Sequence, residues 1–350
     1  MPRKVRLEAS SACQLRCPLC PTGTGDLSPV VGTGRLELRN FATFLDAHPE
    51  VREIELSNWG EMFLNPELSG IMKLALERDV ALTAKNGVNL NTASEEVLCD
   101  LVRYRFRNLV LSIDGASQET YAIYRVRGDL ERVLENVRTI NRFKAEQRSI
   151  YPLLTWKFII FAHNEHEIRQ AREMALGLGM VFYPDLNWNE DWSPPQDSSQ
   201  VREDTGLPVA SMTEHKKKYR SAYSKNFCFQ LWNEPQINWD GKILGCCINT
   251  WSDFGENVFN GGSLDTEKLG YAKRMLLGEA EPRADIPCTG CPQYLGMREH
   301  DDWLRERDVR RDARRKRWKA AVHRLLSWPV FRPFACRLLS HAASSRRWRD

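Results

Sequence analysis

Six short runs with strand-like alternation of apolar and polar positions mark the first half of the chain, at residues 5–10, 53–59, 80–86, 108–114, 154–161 and 181–188. Between them apolar residues recur at three- and four-residue spacing. Leu68, Ile71, Met72, Leu74 and Ala75 form one such set, and Val97, Leu98, Leu101 and Val102 a second. Leu130, Val133, Leu134, Val137 and Ile140 form a third. A period near two places alternate side chains on one sheet face, and a period near 3.6 places them on one helix stripe. Strands alternating with helices predict parallel β/α units. Six units predict an α/β domain over residues 1–190, a partial (β/α)6 barrel with its ligand at the carboxyl ends of the strands.

After Trp192 the pattern dissolves into a polar stretch rich in Pro, Ser and Asp, including Ser193-Pro194-Pro195-Gln196-Asp197. This predicts a linker over residues 191–226. A smaller module follows at 227–300. Within it, Ile237-Asn238-Trp239 and Lys242-Ile243-Leu244 flank Asp240-Gly241, a hairpin signal. Residues 301–350 form a tail of different composition. From Trp303 onward there are fifteen Lys or Arg against four Asp or Glu, while the rest of the chain holds thirty-five against forty-two. The net charge of +4 therefore joins a mildly acidic body to a strongly basic end. In that end Trp318, Val322, Leu325 and Leu326, then Phe331, Phe334, Leu338 and Leu339, recur near helical spacing beside cations, with Pro329 and Pro333 expected to divide the strip. Such a strip fits an anionic membrane surface. A solvated tail, a partner-docking tail and a nucleic-acid grip fit the same pattern.

Ten cysteines in 350 residues change the picture further. No basic, apolar signal segment precedes the first of them, so a reducing cytoplasm is expected, with metal ligands rather than disulfides. No apolar run approaches the ~20 residues of a spanning helix. Cys13, Cys17 and Cys20 follow the first strand in the run Cys-Gln-Leu-Arg-Cys-Pro-Leu-Cys. Three thiolates on one loop can hold three corners of an iron–sulfur cube and leave the fourth iron open to a small molecule. Three thiolates can also hold zinc. A second set is Cys228, Cys246, Cys288 and Cys291, in the pattern C-x17-C, a long gap, then CxxC. Its donor types suit an iron–sulfur cube or a zinc ribbon. Cys99, Cys247 and Cys336 are left for packing or surface roles.

The CxxxCxxC loop resembles that of the radical S-adenosylmethionine (radical SAM) superfamily. Gly60-Glu61 at the end of the second strand resembles the family's Gly-Glu pair, with Met62 in place of the usual Pro. Leu111-Ser112-Ile113-Asp114-Gly115, running on to Arg125 and Gly128, resembles its fourth-strand signature. The second cysteine set resembles the twitch auxiliary-cluster module, and Met297 stands where the longer SPASM module has its next cysteine. The module is similar to that of the aminocyclitol dehydrogenase of aminoglycoside biosynthesis. These resemblances span residues 13 to about 291.

They imply a SAM-binding 4Fe–4S cluster on Cys13, Cys17 and Cys20, whose open iron takes the amino acid moiety of SAM. They imply an auxiliary 4Fe–4S cluster on Cys228, Cys246, Cys288 and Cys291. Gly60 and Glu61 would receive the SAM amino group, Ser112 its ribose and Arg125 its carboxylate; Arg127 is the basic alternative to Arg125. Asp114 is expected to cap the following turn. The implied reaction is reductive cleavage of SAM to a 5′-deoxyadenosyl radical, with an electron donor such as flavodoxin or ferredoxin, and hydrogen abstraction from a substrate.

With an auxiliary cluster this favours an oxidoreductase acting on a small polar substrate, sugar- or aminocyclitol-like. A peptide-modifying enzyme with a peptide substrate is the alternative, and a non-catalytic zinc or nucleic-acid-binding protein is a third reading from another class. Lys157 in the fifth strand and Tyr183, Asp185 and Asn187 along the sixth would line the substrate space if their shared face is the interior. Lys85 and Asn86 close the third strand. His163-Asn164-Glu165-His166 is expected to open the following helix.

Overall fold

The structure is a computed structural model that describes residues 2–219 and 225–326. The six alternating runs form strands β1 (Lys4–Leu7), β2 (Glu53–Glu55), β3 (Ala81–Val88), β4 (Asn108–Ser112), β5 (Leu153–Ile160) and β6 (Val181–Leu186). Each begins within one residue of its expected start. The first two end early, because Glu8–Ala12 and Ser57–Gly60 leave the ladder for loops. The hairpin forms as β7 (Gln236–Ile237) and β8 (Ile243–Gly245). The helices start where side chains can cap their first amides: Ser94 accepts from Val97 N, Ser117 from Thr120 N and Asp129 from Arg132 N.

The chain divides into two compact units. Among the described residues, the first holds 2–12, 26–83 and 225–322 and the second 13–25, 84–219 and 323–326. In the first, the strand order is β3-β2-β1-β7-β8. β1 is parallel to β2 (Val5↔Ile54) and to β7 (Leu7↔Ile237), and β7 and β8 are antiparallel. The hairpin thus extends the parallel sheet from the far side of β1. Val5, Leu7, Ile54, Phe41, Phe44 and Ile71 are fully buried and form much of this unit's core. In the second unit the order is β6-β5-β4-β3, β3 being the strand in which the chain passes from one unit to the next. β4, β5 and β6 are parallel, with Ser112, Lys157 and Tyr183 in one row. Helices Glu95–Arg103, Leu130–Glu146 and Ile168–Gly177 lie between the strands in sequence. The result is an α/β fold with six strands ordered as in a partial (β/α)6 barrel and a hairpin-containing addition.

The expected linker is not structureless. It carries helices Ser198–Thr205 and Met212–Tyr219. Asp197 caps the first by accepting from Ser199 N and Gln200 N, and Val201 is buried beneath it. With one apolar side chain buried in the first helix and none in the second, the period is too weak to read from sequence. The basic tail begins as a helix, Glu306–Leu326, docked through polar contacts. Lys316 Nζ donates to Glu234 (2.7 Å), and Asn233 Nδ2 donates to Asp312 (3.1 Å). Glu234 also pairs with Lys4, and despite burial these cations hold its carboxyl well below the usual carboxylate range. The apolar strip from Val322 to Leu339 and the two prolines lie outside the side chains that the structure describes. Among the described residues no helix is long and apolar enough to cross a membrane.

Candidate functional site

Cys13, Cys17 and Cys20 lie on the loop that follows β1, gathered by backbone turns. Cys20 N donates to Cys17 O (3.1 Å), and Thr24 N to Cys20 O (2.9 Å) as a short helix, Pro21–Thr24, begins. Arg16 N donates to Val126 O (3.1 Å) and Gln14 Nε2 to Asn89 Oδ1 (2.5 Å), which tie down the first half of the loop. Cys17 is 5% exposed and packs with Leu15, Tyr124, Ile159 and Phe161; Cys13, Cys20 and Trp192 pack against that cluster. Tyr124, Phe161 and Trp192 make an aromatic collar, with ring centroids 4.6–5.4 Å apart. His163 stacks on Phe161 at 5.1 Å. Such a collar gives the buried Cys17 thiol an apolar surround, with Cys13 and Cys20 half-buried beside it.

Arg125 ends the helix Gln118–Tyr124 beside this loop. Its Nε donates to Asp114 Oδ2 (2.6 Å) and its Nη1 to Cys17 Sγ (3.6 Å). Burial pushes the Cys17 thiol up, and Arg125 pulls the other way. Asp114 is therefore not the expected turn cap. It is the buried counter-charge of Arg125, and its Oδ1 also accepts from Ile159 N (2.7 Å). The opening of the next helix is held by Asn164, whose Nδ2 donates to Asp114 O and Ile159 O.

In the first unit, Gly60-Glu61 is pressed against the segment leaving β1. A Cβ at position 60 would run into the carbonyls of Ser10 and Ala12, so only glycine fits. Glu61 N donates to Ala12 O (2.7 Å), and Glu61 Oε1 accepts from Phe63 N (3.2 Å). Glu8, absent from the sequence-based candidates, supports this loop from below. Its carboxylate accepts from Trp59 N (3.0 Å) and Gly60 N (3.2 Å).

Back in the second unit, Ile159 belongs to the cluster around Cys17 and shares its sheet face with Lys157. The register Lys157↔Tyr183 and Ile159↔Asp185 puts Tyr183 and Asp185 there too. The face that bears Lys157, Tyr183 and Asp185 is thus the one covered by the cysteine loop. Lys157 and Asp185 form an ion pair at 3.6 Å, both partly exposed. The opposite face carries Trp156, Phe158 and Phe182, all buried. Ser112, in the same row as Lys157, is approached by Gly87, where a Cβ would strike its hydroxyl. Asn187 differs from its strand-mates. It lies beyond β6, buried, holding Trp192 O (2.7 Å) and Asn189 N (3.0 Å), and so shapes the loop that delivers Trp192.

The second cysteine set converges in the first unit. Cys228, Cys246, Cys288 and Cys291 line one small cavity with Leu244 and Phe254. Cys291 N donates to Cys288 O (3.0 Å), and Trp251 Nε1 to Pro287 O (2.9 Å). Burial, then repulsion between neighbouring sulfurs, pushes the thiols of Cys228 and Cys246 up, and that of Cys288 to about 12. Cys247 is held outside this lining. Gln230 accepts from its N–H (2.8 Å) and donates to its Sγ (3.3 Å).

At the level of sequence, no family model and no curated protein matches the chain. Solved structures do. SuiB from Streptococcus suis bound to S-adenosylmethionine is similar at a TM-score of 0.59 and 11% identity, over 84% of this chain and 71% of that one. SuiB bound to the precursor peptide SuiA gives 0.57 at 12% identity, over 84% and 70%. anSMEcpe with bound AdoMet gives 0.51 at 12%, over 77% and 80%. These neighbours are radical SAM enzymes. The chain has the radical SAM fold.

By donor type, both thiol sets suit an iron–sulfur cluster. At the cysteine loop, the three sulfurs sit among apolar side chains, and the Arg125 cation on Cys17 offsets part of the cost of burying a thiolate there. In the cavity, four cysteines gather among mainly apolar residues with Asn249 and Tyr294, and their sulfurs are donors that a bound cluster would take up. Among the described residues, no group of three or more His, Cys, Asp or Glu is gathered as a single metal ion would need.

Glu8 also makes a testable statement about stability. Burial dominates and pushes its carboxyl from 4.5 up to about 8, against the Trp59 and Gly60 amides and Arg6. With the folded value raised, the stability Glu8 contributes is complete below 4.5 and is lost as pH rises toward 8. Glu8→Gln cannot ionise. Between about pH 5 and about pH 9 it should gain on wild type by up to a few kcal/mol, at ~1.4 kcal/mol per pKa unit. Urea unfolding at both pH values checks this, and parallel curves for the two proteins would contradict the buried-carboxylate account.

Proposed function

We propose that this chain is a radical SAM oxidoreductase acting on a small polar substrate. The observation that carries the reading is the three-thiol loop on the radical SAM fold, enclosed by Tyr124, Phe161 and Trp192 with Arg125 on Cys17. Cys13, Cys17 and Cys20 would hold a 4Fe–4S cluster, and Cys228, Cys246, Cys288 and Cys291 a second. When bound, these clusters and SAM supply the redox chemistry: reductive cleavage of SAM for hydrogen abstraction at one site and an electron acceptor at the other. The chain's own residues bind, orient and exclude water. Gly60 allows close approach of the backbone, and Glu61 offers a carboxylate to the SAM ammonium. Ser112 offers a hydroxyl to the ribose. Lys157, Tyr183 and Asp185 present a cation, a phenol and an anion on the face under the loop, which suits a substrate bearing hydroxyl and amino groups. A one-electron donor such as flavodoxin or ferredoxin would serve it.

A peptide-modifying reading has its own support. The similar SuiB structure is bound to a precursor peptide. Anaerobic reconstitution with SAM separates the two, scoring 5′-deoxyadenosine release with sugars and aminocyclitols against short precursor peptides. Release stimulated by the small polar compounds is the expected result. Stimulation by peptide alone favours the second reading, and no release with an iron-loaded protein refutes the enzyme assignment.

A further inference from the structure

Arg125 was expected to grip the SAM carboxylate, yet it is committed to other partners. Its side chain is 13% exposed, and Asp114, which it meets through Nε at 2.6 Å, is fully buried. The guanidinium lies over the Tyr124 ring, 4.9 Å from its centroid, and Nη1 donates to Cys17 Sγ at 3.6 Å. Asp114 is itself fixed, since Oδ1 accepts from Ile159 N and its carbonyl accepts from Asn164. Asp114 and the Tyr124 ring together hold the guanidinium beside the sulfur.

We propose that Arg125 and Asp114 are positioning residues that set the reduction potential of the cluster held by Cys13, Cys17 and Cys20. The inference rests on the functional reading above. Hydrogen bonds and local charge at a ligand sulfur are levers on cluster potential. Reduction adds one negative charge to the cluster. An N–H donor and a positive charge at Cys17 stabilise that charge, and the apolar collar keeps the effect from being screened. Asp114 acts in the opposite sense: it aims the guanidinium while offsetting part of its field. The two residues therefore carry opposite signs, which a purely structural role would not produce.

The test is a redox titration of reconstituted, SAM-free holoprotein followed by electron paramagnetic resonance. The signal that SAM addition perturbs identifies the relevant cluster. Arg125→Gln should shift its potential downward, Asp114→Asn should shift it upward, and Arg125→Lys should fall between wild type and Arg125→Gln. Unchanged potentials, or shifts of the same sign, overturn the proposal. A weakened SAM affinity of Arg125→Gln with both potentials unchanged would return Arg125 to the carboxylate alone. If the Arg125 variants retain no iron, Asp114→Asn decides by itself: an upward shift supports the proposal, and an unchanged value overturns it. A wild-type protein with no SAM-perturbed signal overturns the functional reading and this inference together, before any variant is made.

Discussion

Alanine at Cys13, Cys17 and Cys20 together is expected to reduce 5′-deoxyadenosine release to background while leaving an iron–sulfur signal from the second set. Each thiol has its own place on the loop, so no neighbouring cysteine can substitute. Cys17 is buried under Arg125, Cys20 caps the short helix that follows, and Cys13 begins the loop. Loss of Cys17 also leaves the Arg125 guanidinium facing no sulfur, but Asp114 still neutralises it, so the fold should survive. Anaerobic reconstitution, iron assay and product quantification check the outcome. Full deoxyadenosine production by the triple variant would remove the assignment of this loop.

Cys228→Ala or Cys288→Ala should lower iron from about eight per chain toward about four, the content of one cube. Turnover should stop while SAM binding persists. The physical basis is the gathering of the four sulfurs, where burial and neighbouring sulfurs push the thiols of Cys228, Cys246 and Cys288 up. Cys247→Ala is the internal control. Its backbone and sulfur are engaged by Gln230 rather than by the cavity, so iron content should hold. Iron and zinc assays on the reconstituted proteins decide. Zinc in the cavity in place of iron would remove the electron acceptor and with it the two-electron oxidation.

The strands and the main helices were legible because each signal is local. Val5 and Leu7, or Val133, Leu134 and Val137, reveal their element through spacing within one turn or pleat. The cysteine loop was legible for the same reason. Asp114 was misassigned because a turn cap is the usual use of Asp at a strand end, and its actual partner lies eleven residues on, across a helix. Glu8 looked like an ordinary polar position in a strand. Only the return of β2 beside β1 brings the Trp59 and Gly60 amides onto its carboxylate.

By itself the sequence determined the order of elements, the two thiol sets and the charge division between body and tail, all of which depend on neighbours a few residues apart. Tertiary structure decided the rest. It put Lys157, Tyr183 and Asp185 on the face under the cysteine loop, because register between strands, not spacing along one, sets which faces coincide. It set Gln230 against Cys247, which holds that neighbour of Cys246 outside the cavity lining. It built the collar of Tyr124, Phe161 and Trp192 from a helix end and two separate loops, and it turned Arg125 toward Cys17. Burial and charge pairing act through space, and a linear pattern records only which residues are available to take part.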